Sequence, residues 1–545
     1  MDATPPERRP VAVPAPRERS DWDAWGTHAA KLPAAARALL TTLIPGRPHP
    51  IPRIPGPVLV PSRLDDADLA ALAAIVGDDG ASRDDAVRML HLGGKSTPDL
   101  LARRSHAPQS APDAVIAPAG HDEVLAVLRV CDERGIAVVP FGGGTSVVGG
   151  VQPDAGSHRA VISLDLARTA ALLGLDETSL LATFGAGTTG PQAEELLGAH
   201  GYTLGHFPQS FEYASIGGFA ATRSSGQASR GYGRFDDLVH ALRVATPTGD
   251  LALGRAPASA AGPDLRELFL GSEGAFGVLT EVTVRIRPTP AATAYGAWAF
   301  PDFASGAAAF REATQRGIRP TVLRLSDETE TRVNAALGGH LLRLRGCLAV
   351  ATSEGESDAD AAFVLDALGA VLRAHGAKPL GEQPSRSWER GRFHSPALRD
   401  TLLGAGVLAE TLETATTWAG LPALKQAVAD ALRDSLTPGG TRPIVLCHIS
   451  HVYPAGASLY FTVVAALGDD PARQWAGAKD AASRAISRTG ATITHHHAIG
   501  RDHRPYLETE IGPLGVAVLR AVKATLDPNG IMNPGALVPP PDGIA

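Results

Sequence analysis

Pro140-Phe141-Gly142-Gly143-Gly144-Thr145-Ser146 follows a short, apolar, β-branched run, Ile136-Ala137-Val138-Val139. That order places three consecutive glycines and two hydroxyls where a strand ends, at the mouth of an α/β unit. Glycines there let the backbone come close to a ligand and turn its N–H groups inward, as a pyrophosphate requires. Three more glycine- and hydroxyl-rich stretches follow: 205–218, 221–226 and 271–277. Any one of them serves as a turn as readily as a ligand site. Four in order point to one large dinucleotide. A nicotinamide fold would need Gly-x-Gly-x-x-Gly opening a helix, with an acid about 20 residues on. Gly142-Gly-Gly-Thr-Ser-Val147 does not match, and no helical pattern follows it. Gly94-Lys95-Ser96 is not a P-loop, because Met89 stands where the first glycine belongs. Lys95 is read as an ordinary loop residue.

The chain has 545 residues, enough for two or three domains. Its 44% hydrophobic and 20% charged residues are those of a globular protein. A formal charge of −7 leaves no basic excess to neutralise phosphates, so nucleic acid is not an expected partner. Cys131, Cys347 and Cys447 are too few and too scattered for a disulfide framework, which fits a reducing cytoplasm. No run of about 18 uncharged apolar residues occurs.

The Pro- and Arg-rich residues 1–20 read as a disordered arm, and 21–110 as a mainly helical extension, with helical spacing at Ala29–Leu43 and Asp65–Val76. From 111 to 288 strands and helices alternate: strand Ala114–Ala117, helix His121–Arg134, strands Ile136–Val139 and Ala160–Leu166, helix Pro191–His200, strand Glu281–Arg287. Pro288 and Pro290 mark a boundary. A second α/β region spans 289–497, with helices at Phe303–Arg316, Asp358–His375 and Leu421–Leu436 and strands at Val322–Leu325, Cys347–Thr352, Ile444–Ile449 and Leu459–Ala465. Residues 498–545 hold a helix, Pro513–Leu526, and a turn-rich end, Asp527-Pro-Asn-Gly…Asn533-Pro-Gly535, that returns to the first domain.

Two histidine segments stand out, Cys447-His448-Ile-Ser-His451-Val-Tyr453 and Thr494-His495-His496-His497-Ala498. Imidazoles ligate zinc. Adjacent residues of a strand point to opposite faces, however, so at most two of the three would converge. Neither segment holds a carboxylate, and no metal site is expected. His503 is read as structural.

These segments resemble the FAD-binding domain of the vanillyl-alcohol oxidase/p-cresol methylhydroxylase (PCMH-type) superfamily. In detail, from about Trp22 to Val538, they are similar to the alkyldihydroxyacetonephosphate synthase family and its bacterial relatives. The resemblance implies an α/β (α+β) protein: a PCMH-type FAD-binding domain, an α/β cap and a helical N-terminal extension. It implies FAD contacts at Pro140, Phe141, Gly142, Gly143, Gly144, Thr145 and Ser146; at Gln209, Ser210, Phe211, Glu212, Tyr213, Ala214 and Ser215; at Thr222, Arg223, Ser224 and Ser225; and at Glu273, Gly274, Ala275, Phe276, Gly277, Val278 and Leu279. Some superfamily members tether the flavin through a histidine where Thr145 stands, so FAD is expected to be non-covalent.

For chemistry, the resemblance implies redox-neutral exchange of the acyl group of acyl-dihydroxyacetone phosphate for a fatty alcohol, as in ether-lipid synthesis. Tyr453 matches the family's proton-transferring tyrosine, His495, His496 and His497 its histidine triplet, Arg324 a required arginine and Arg399 a substrate-binding arginine. Ala498 replaces a glycine, a minor departure. A free phenol titrates near 10, so Tyr453 needs a nearby cation to act at neutral pH. Two other readings are carried: an FAD-dependent oxidase or dehydrogenase of a 2-hydroxy acid or specialised metabolite, and a non-catalytic flavin-binding relative. A lipid substrate leads one to expect a cytoplasmic protein at the inner face of the membrane, in peripheral contact with it, and a homodimer.

Overall fold

The computed structural model describes residues 19–26, 50–338, 345–393, 395–437 and 442–540. The expected arm at 1–20 lies mostly outside the described residues, and the expected helix Ala29–Leu43 lies wholly outside them.

In the flavin domain, β1 (Ala81–Ser82), β2 (Ala114–Ile116), β3 (Ile136–Phe141) and β4 (Ala160–Asp165) form a sheet in the order β1-β2-β4-β3. β2, β4 and β3 run parallel, and all but one of the fifteen residues on these three strands are buried, as parallel strands covered on both faces should be. Helix His121–Arg134 covers one face through Val124, Val127, Leu128 and Cys131, and stops where Gly135 takes the left-handed conformation at φ 62°. β5 (Leu172–Asp176) and β6 (Leu181–Gly185) open a second sheet. β7 (Tyr202–Thr203) stands aside. β8 (Val239–Thr246), β9 (Gly249–Leu253) and β10 (Val278–Arg285) complete that sheet in the order β5-β6-β10-β8-β9, all antiparallel, and β11 (Arg287–Pro288) pairs with β7.

The cap is one seven-stranded antiparallel sheet: β12 (Ala292–Phe300), β13 (Val322–Ser326), β14 (Cys347–Gly355), β15 (Lys378–Gly381), β16 (Val407–Thr417), β17 (Ile444–Ile449) and β18 (Gly456–Ala466), in the order β15-β12-β14-β13-β17-β18-β16. Helices Phe303–Gln315, Asp358–Ala374, Leu421–Leu436 and Pro471–Arg488 contribute Phe310, Leu368, Leu432 and Trp475 to its core.

The described part of the N-terminal extension is less helical than its sequence suggests. Its α-helices span Asp66–Val76, Asp85–Met89 and Thr97–Arg103, with one 3-10 turn at Asp78–Gly80. The proline-rich stretch before Asp65 stays extended because proline withholds the N–H a helix needs. At the other end, Met532 bridges Val138 in parallel, with Val138 N donating to Ile531 O and Asn533 N to Val138 O, so the C-terminal segment extends the β3 edge of the flavin domain.

Candidate active site

The four glycine-rich segments meet around one cleft. It is lined by Pro140, Phe141, Gly142, Ser146, Ser215, Gly217, Gly218, Thr222, Glu273, Gly274, Gly277 and Leu279, with Gly150, Val151, Leu166 and Ala221. The glycines of the first loop are needed for packing as well as for a ligand. A side chain on Gly142 would strike the Ser215 hydroxyl, and one on Gly143 the Tyr213 carbonyl. Gly144 has φ 67°. Ser215 caps the short helix Ile216–Ala221, whose first turn faces the cleft through Gly217 and Gly218.

These lining groups fit FAD. A dinucleotide of that size needs close backbone approach and hydroxyl donors, and a Cβ at Gly274 would strike Pro140 across the cleft wall, while one at Gly277 would strike the Ala245 carbonyl behind it. Ser225 Oγ and His206 Nδ1, on two of the four segments, are buried with no partner among the described residues, although neither residue lines the cleft. Thr145 sits half-buried on the loop and offers no ring nitrogen for a covalent tether.

Not every expected contact faces that cleft. Gln209 gives its amide to the Arg392 carbonyl (2.6 Å), Phe211 stacks on Phe393, and Glu212 is exposed. Tyr213 and Thr145's neighbours Gly143 and Gly144 line a smaller recess under Arg19, Ser20 and Lys95. Arg223, at φ 50°, sends its guanidinium to Asp236 and Glu267. Ser224 Oγ pairs with His206 Nε2 (3.1 Å), and Ala275, Phe276 and Val278 belong to the core. Glu273 is buried with its carboxylate on the N–H groups of Ile499 and Gly500 (2.8–3.0 Å), which ties the flavin domain to the chain just after the histidine triplet. Burial pushes its carboxyl up to about 7 against the pull of those two donors.

The chemistry-bearing side chains lie on the cap. The triplet is not a strand: residues 495–497 form a bend wrapped around the carboxylate of Glu413, from β16. Glu413 accepts the backbone N–H groups of His495 (2.7 Å), His496 (2.9 Å) and His497 (2.8 Å) and the Thr494 hydroxyl (2.6 Å). Burial would raise this carboxyl, but the imidazoles of His496, His497 and His495 hold it well below the usual range. Both premises against converging imidazoles therefore fail. The bend removes the strand alternation, and a carboxylate arrives from another element. His451, His495 and His496 bring nitrogens within 4.8 Å of one another.

Tyr453 Oη lies 2.6 Å from His495 Nε2; because Arg234 donates to the phenol oxygen, the phenol proton points to Nε2, and the single N–H of the neutral imidazole sits on Nδ1, 3.1 Å from His496 Nδ1. Burial pushes the Tyr453 phenol up to about 12, and the Arg234 guanidinium beside it pulls the other way. Arg234 is the cation that the tyrosine needs. It is fixed by Asp236 (3.0 Å) and by the carbonyls of His495 (3.0 Å) and Arg223 (3.1 Å). Burial, then His451 and His496, holds the His495 imidazole well below its ordinary value, and burial takes His451 and His497 down to about 3. These three are neutral bases at pH 7.

Arg324 does not reach this group directly. From β13 it donates to Glu330 (2.6 Å) and lies 3.0 Å from His448 Nδ1. Burial acts to raise Glu330, but His448 and Arg324 bring it to about 2. His448 stacks on Tyr460 (4.9 Å, 18°), and Tyr460 on His496 (6.1 Å, 18°), so the ion pair meets the triplet through an aromatic ladder. Arg399 lies in a separate charged cluster. It pairs with Asp400 (3.2 Å), whose other oxygen accepts the Trp25 N–H. Lys95 is no ordinary loop residue: it is buried, donates to the carbonyls of Asp21 and Trp22, and is lowered to about 7 by burial and then by Arg103. His503 Nδ1 bonds the Ala498 carbonyl (2.8 Å), a structural role. Ala498 itself has φ 72°, a glycine conformation, so its place in the turn after the triplet is strained rather than a neutral exchange.

Two family models match the chain. The "FAD binding domain" model matches residues 112–253, and "FAD linked oxidases, C-terminal domain" matches 289–537. Alkyldihydroxyacetonephosphate synthase of Trypanosoma brucei brucei is 33% identical over 516 residues, 90% of this chain and 83% of that protein. A solved alkyldihydroxyacetonephosphate synthase superposes with a TM-score of 0.81 at 26% identity, over 95% of this chain and 98% of the other. Substrate-bound p-cresol methylhydroxylase superposes with a TM-score of 0.67 at 15% identity, over 88% and 98%, a likeness of fold.

Proposed function

The chain belongs to the alkyldihydroxyacetonephosphate synthase family of FAD enzymes, and from that premise we propose that it exchanges the acyl group of acyl-dihydroxyacetone phosphate for a fatty alcohol. The observation that carries the proposal is the Tyr453–His495 contact on the Glu413-anchored bend, with Arg234 at the phenol.

The glycine cradle holds FAD without a covalent bond, and bound FAD supplies reversible electron acceptance with no net redox change. Tyr453 moves the proton at the carbon beside the substrate ketone. Its own proton has an acceptor already aligned in His495 Nε2, and Arg234 stabilises the phenolate as it forms. The attacking alcohol must lose a proton, and the neutral imidazoles of His495 and His497 are the bases for it. Glu413 fixes their backbone and compensates positive charge on the cluster as protons move. Arg324 is a positioning residue, acting through Glu330, His448 and Tyr460. A guanidinium is well shaped for the substrate phosphate, but Arg399 is paired with Asp400 in a cluster apart from the Tyr453–His495 contact, so it would take that role only by releasing Asp400. The hydroxy-acid oxidase reading gains no such support from the site, since His496 stands where an acid would be.

Both substrates carry fatty chains, so we place the protein in peripheral contact with the inner face of the cytoplasmic membrane, as a homodimer. Among the described residues no helix is long and apolar enough to cross a membrane. Vesicle flotation and sedimentation test these two points. For the activity itself, the FAD-loaded protein is mixed with acyl-dihydroxyacetone phosphate and labelled fatty alcohol. Label in an ether product, matched by released fatty acid, supports exchange; release without incorporation, or neither, rejects it.

A further inference from the structure

The same bend presents three donor atoms at metal-ligand spacing. His495 Nδ1 lies 3.1 Å from His496 Nδ1, His496 Nδ1 lies 3.4 Å from Glu413 Oε2, and His495 Nδ1 lies 4.0 Å from Glu413 Oε2. Ligands about 2.0–2.1 Å from a tetrahedral zinc stand about 3.4 Å from one another. The triangle therefore matches one face of a zinc tetrahedron. Glu413 Oε2 takes a single backbone donor, the His495 N–H, whereas Oε1 takes the N–H groups of His496 and His497 and the Thr494 hydroxyl. Oε2 thus keeps a lone pair on the side that faces the imidazoles. His451 brings a nitrogen within 4.8 Å of donors on His495 and His496, a group that does not include Glu413, and its own nitrogens face the Gly226 carbonyl (3.1 Å) and the Ser450 hydroxyl (3.0 Å), so it becomes the fourth donor only by exchanging one of those contacts.

We propose that His451, His495, His496 and Glu413 form a zinc site, and that zinc there inhibits the exchange reaction. Two imidazole nitrogens 3.1 Å apart are an unusual pair unless a proton or a metal lies between them. Now one proton does, on His495 Nδ1. When zinc binds, that proton moves to His495 Nε2, which turns from acceptor into donor toward the Tyr453 oxygen. A ligating imidazole commonly donates its other N–H in this way. The consequence is specific. Tyr453 loses the acceptor for its proton, and His495, one of the two candidate bases, becomes a ligand. Three imidazoles and one carboxylate suit a borderline ion such as zinc, and cobalt(II) as its visible stand-in, over magnesium or calcium, which prefer oxygen.

The zinc count does not depend on the exchange reading; the inhibition does. FAD-loaded full-length protein is incubated with zinc, desalted and measured for metal per chain. The site predicts about one zinc per chain, cobalt(II) absorption of tetrahedral character, loss of exchange on zinc addition and recovery with a chelator. His496→Gln and His451→Gln should each weaken zinc binding at least about 10-fold. Glu413→Gln should do so too, but it risks the fold of the bend, so the two histidine variants decide, with unchanged flavin absorbance as the check on folding. No retained metal, or retention that the histidine variants leave unaltered, overturns the site. Binding with full activity overturns the inhibition. Absence of exchange in metal-free wild-type protein would reject the assigned reaction and leave the zinc count standing on its own.

Discussion

The cradle and the cap face solve opposite problems. The cradle is made of backbone and hydroxyls from segments that each read as a loop, and its ligand is gripped through glycines whose positions are fixed by neighbouring main chain, as Gly143 is by Tyr213. The cap face is made of side chains from β13, β16, β17, β18 and the bend, and it is held by a buried carboxylate whose charge is balanced only after folding. Backbone recognition is local and leaves a compositional mark. Side-chain convergence is distant and leaves little.

That contrast can be broken, from the largest effect to the smallest. Tyr453→Phe should leave FAD bound and reduce exchange by about 10²–10⁴-fold, the usual weight of one proton-transfer group. Steady-state rates alongside flavin absorbance check it, and loss of flavin would mean the two regions are not separable. Glu273 links them, and its effect depends on pH. Its folded carboxyl is raised to about 7, so the stability it permits is full below the unfolded value near 4.5 and is lost as pH rises through about 7. Glu273→Gln should therefore gain on wild type as pH rises across that window, by at most roughly 3 kcal/mol, in urea midpoints taken at several pH values. A constant offset would put the carboxyl at its ordinary pKa. Gly143→Ala is the converse of the tyrosine variant: it should weaken FAD retention, by about 2 kcal/mol, with the cap fold intact by near-ultraviolet circular dichroism. Smallest is Ala498→Gly, which relieves the φ of 72° and should stabilise the protein by about 1 kcal/mol in thermal unfolding, provided the gain exceeds the added chain entropy.

The same contrast explains what the sequence discloses. Helix Leu421–Leu436 and strand Ile444–Ile449 match their expected bounds, because their apolar periodicity is set by one buried face. The glycine loop is legible because close backbone approach demands glycine. Glu413 is not. Its strand, Val-Leu-Ala-Glu-Thr-Leu-Glu-Thr-Ala-Thr-Thr, contains residues that favour helices, and its two acids, Glu410 and Glu413, are buried against backbone N–H groups that no local pattern announces. Arg234 sits in a polar turn beside Asp236 and Asp237, where an arginine looks solvated. His206, within the second glycine-rich stretch, packs on Phe219 and Phe235 and holds Ser224, a structural role that its sequence setting beside Gly205 does not announce. For the triplet, strand alternation misleads because three N–H groups turned onto one carboxylate make a bend instead.

The central claim is that a flavin cradle and a proton-transfer cluster run an exchange with no net redox change. The most direct measurement is the flavin spectrum after anaerobic turnover with acyl-dihydroxyacetone phosphate and fatty alcohol. The ether product should accumulate over many turnovers, with the flavin oxidised at completion. A flavin left reduced, or one bleached by a 2-hydroxy acid in protein that makes no ether product, would contradict it.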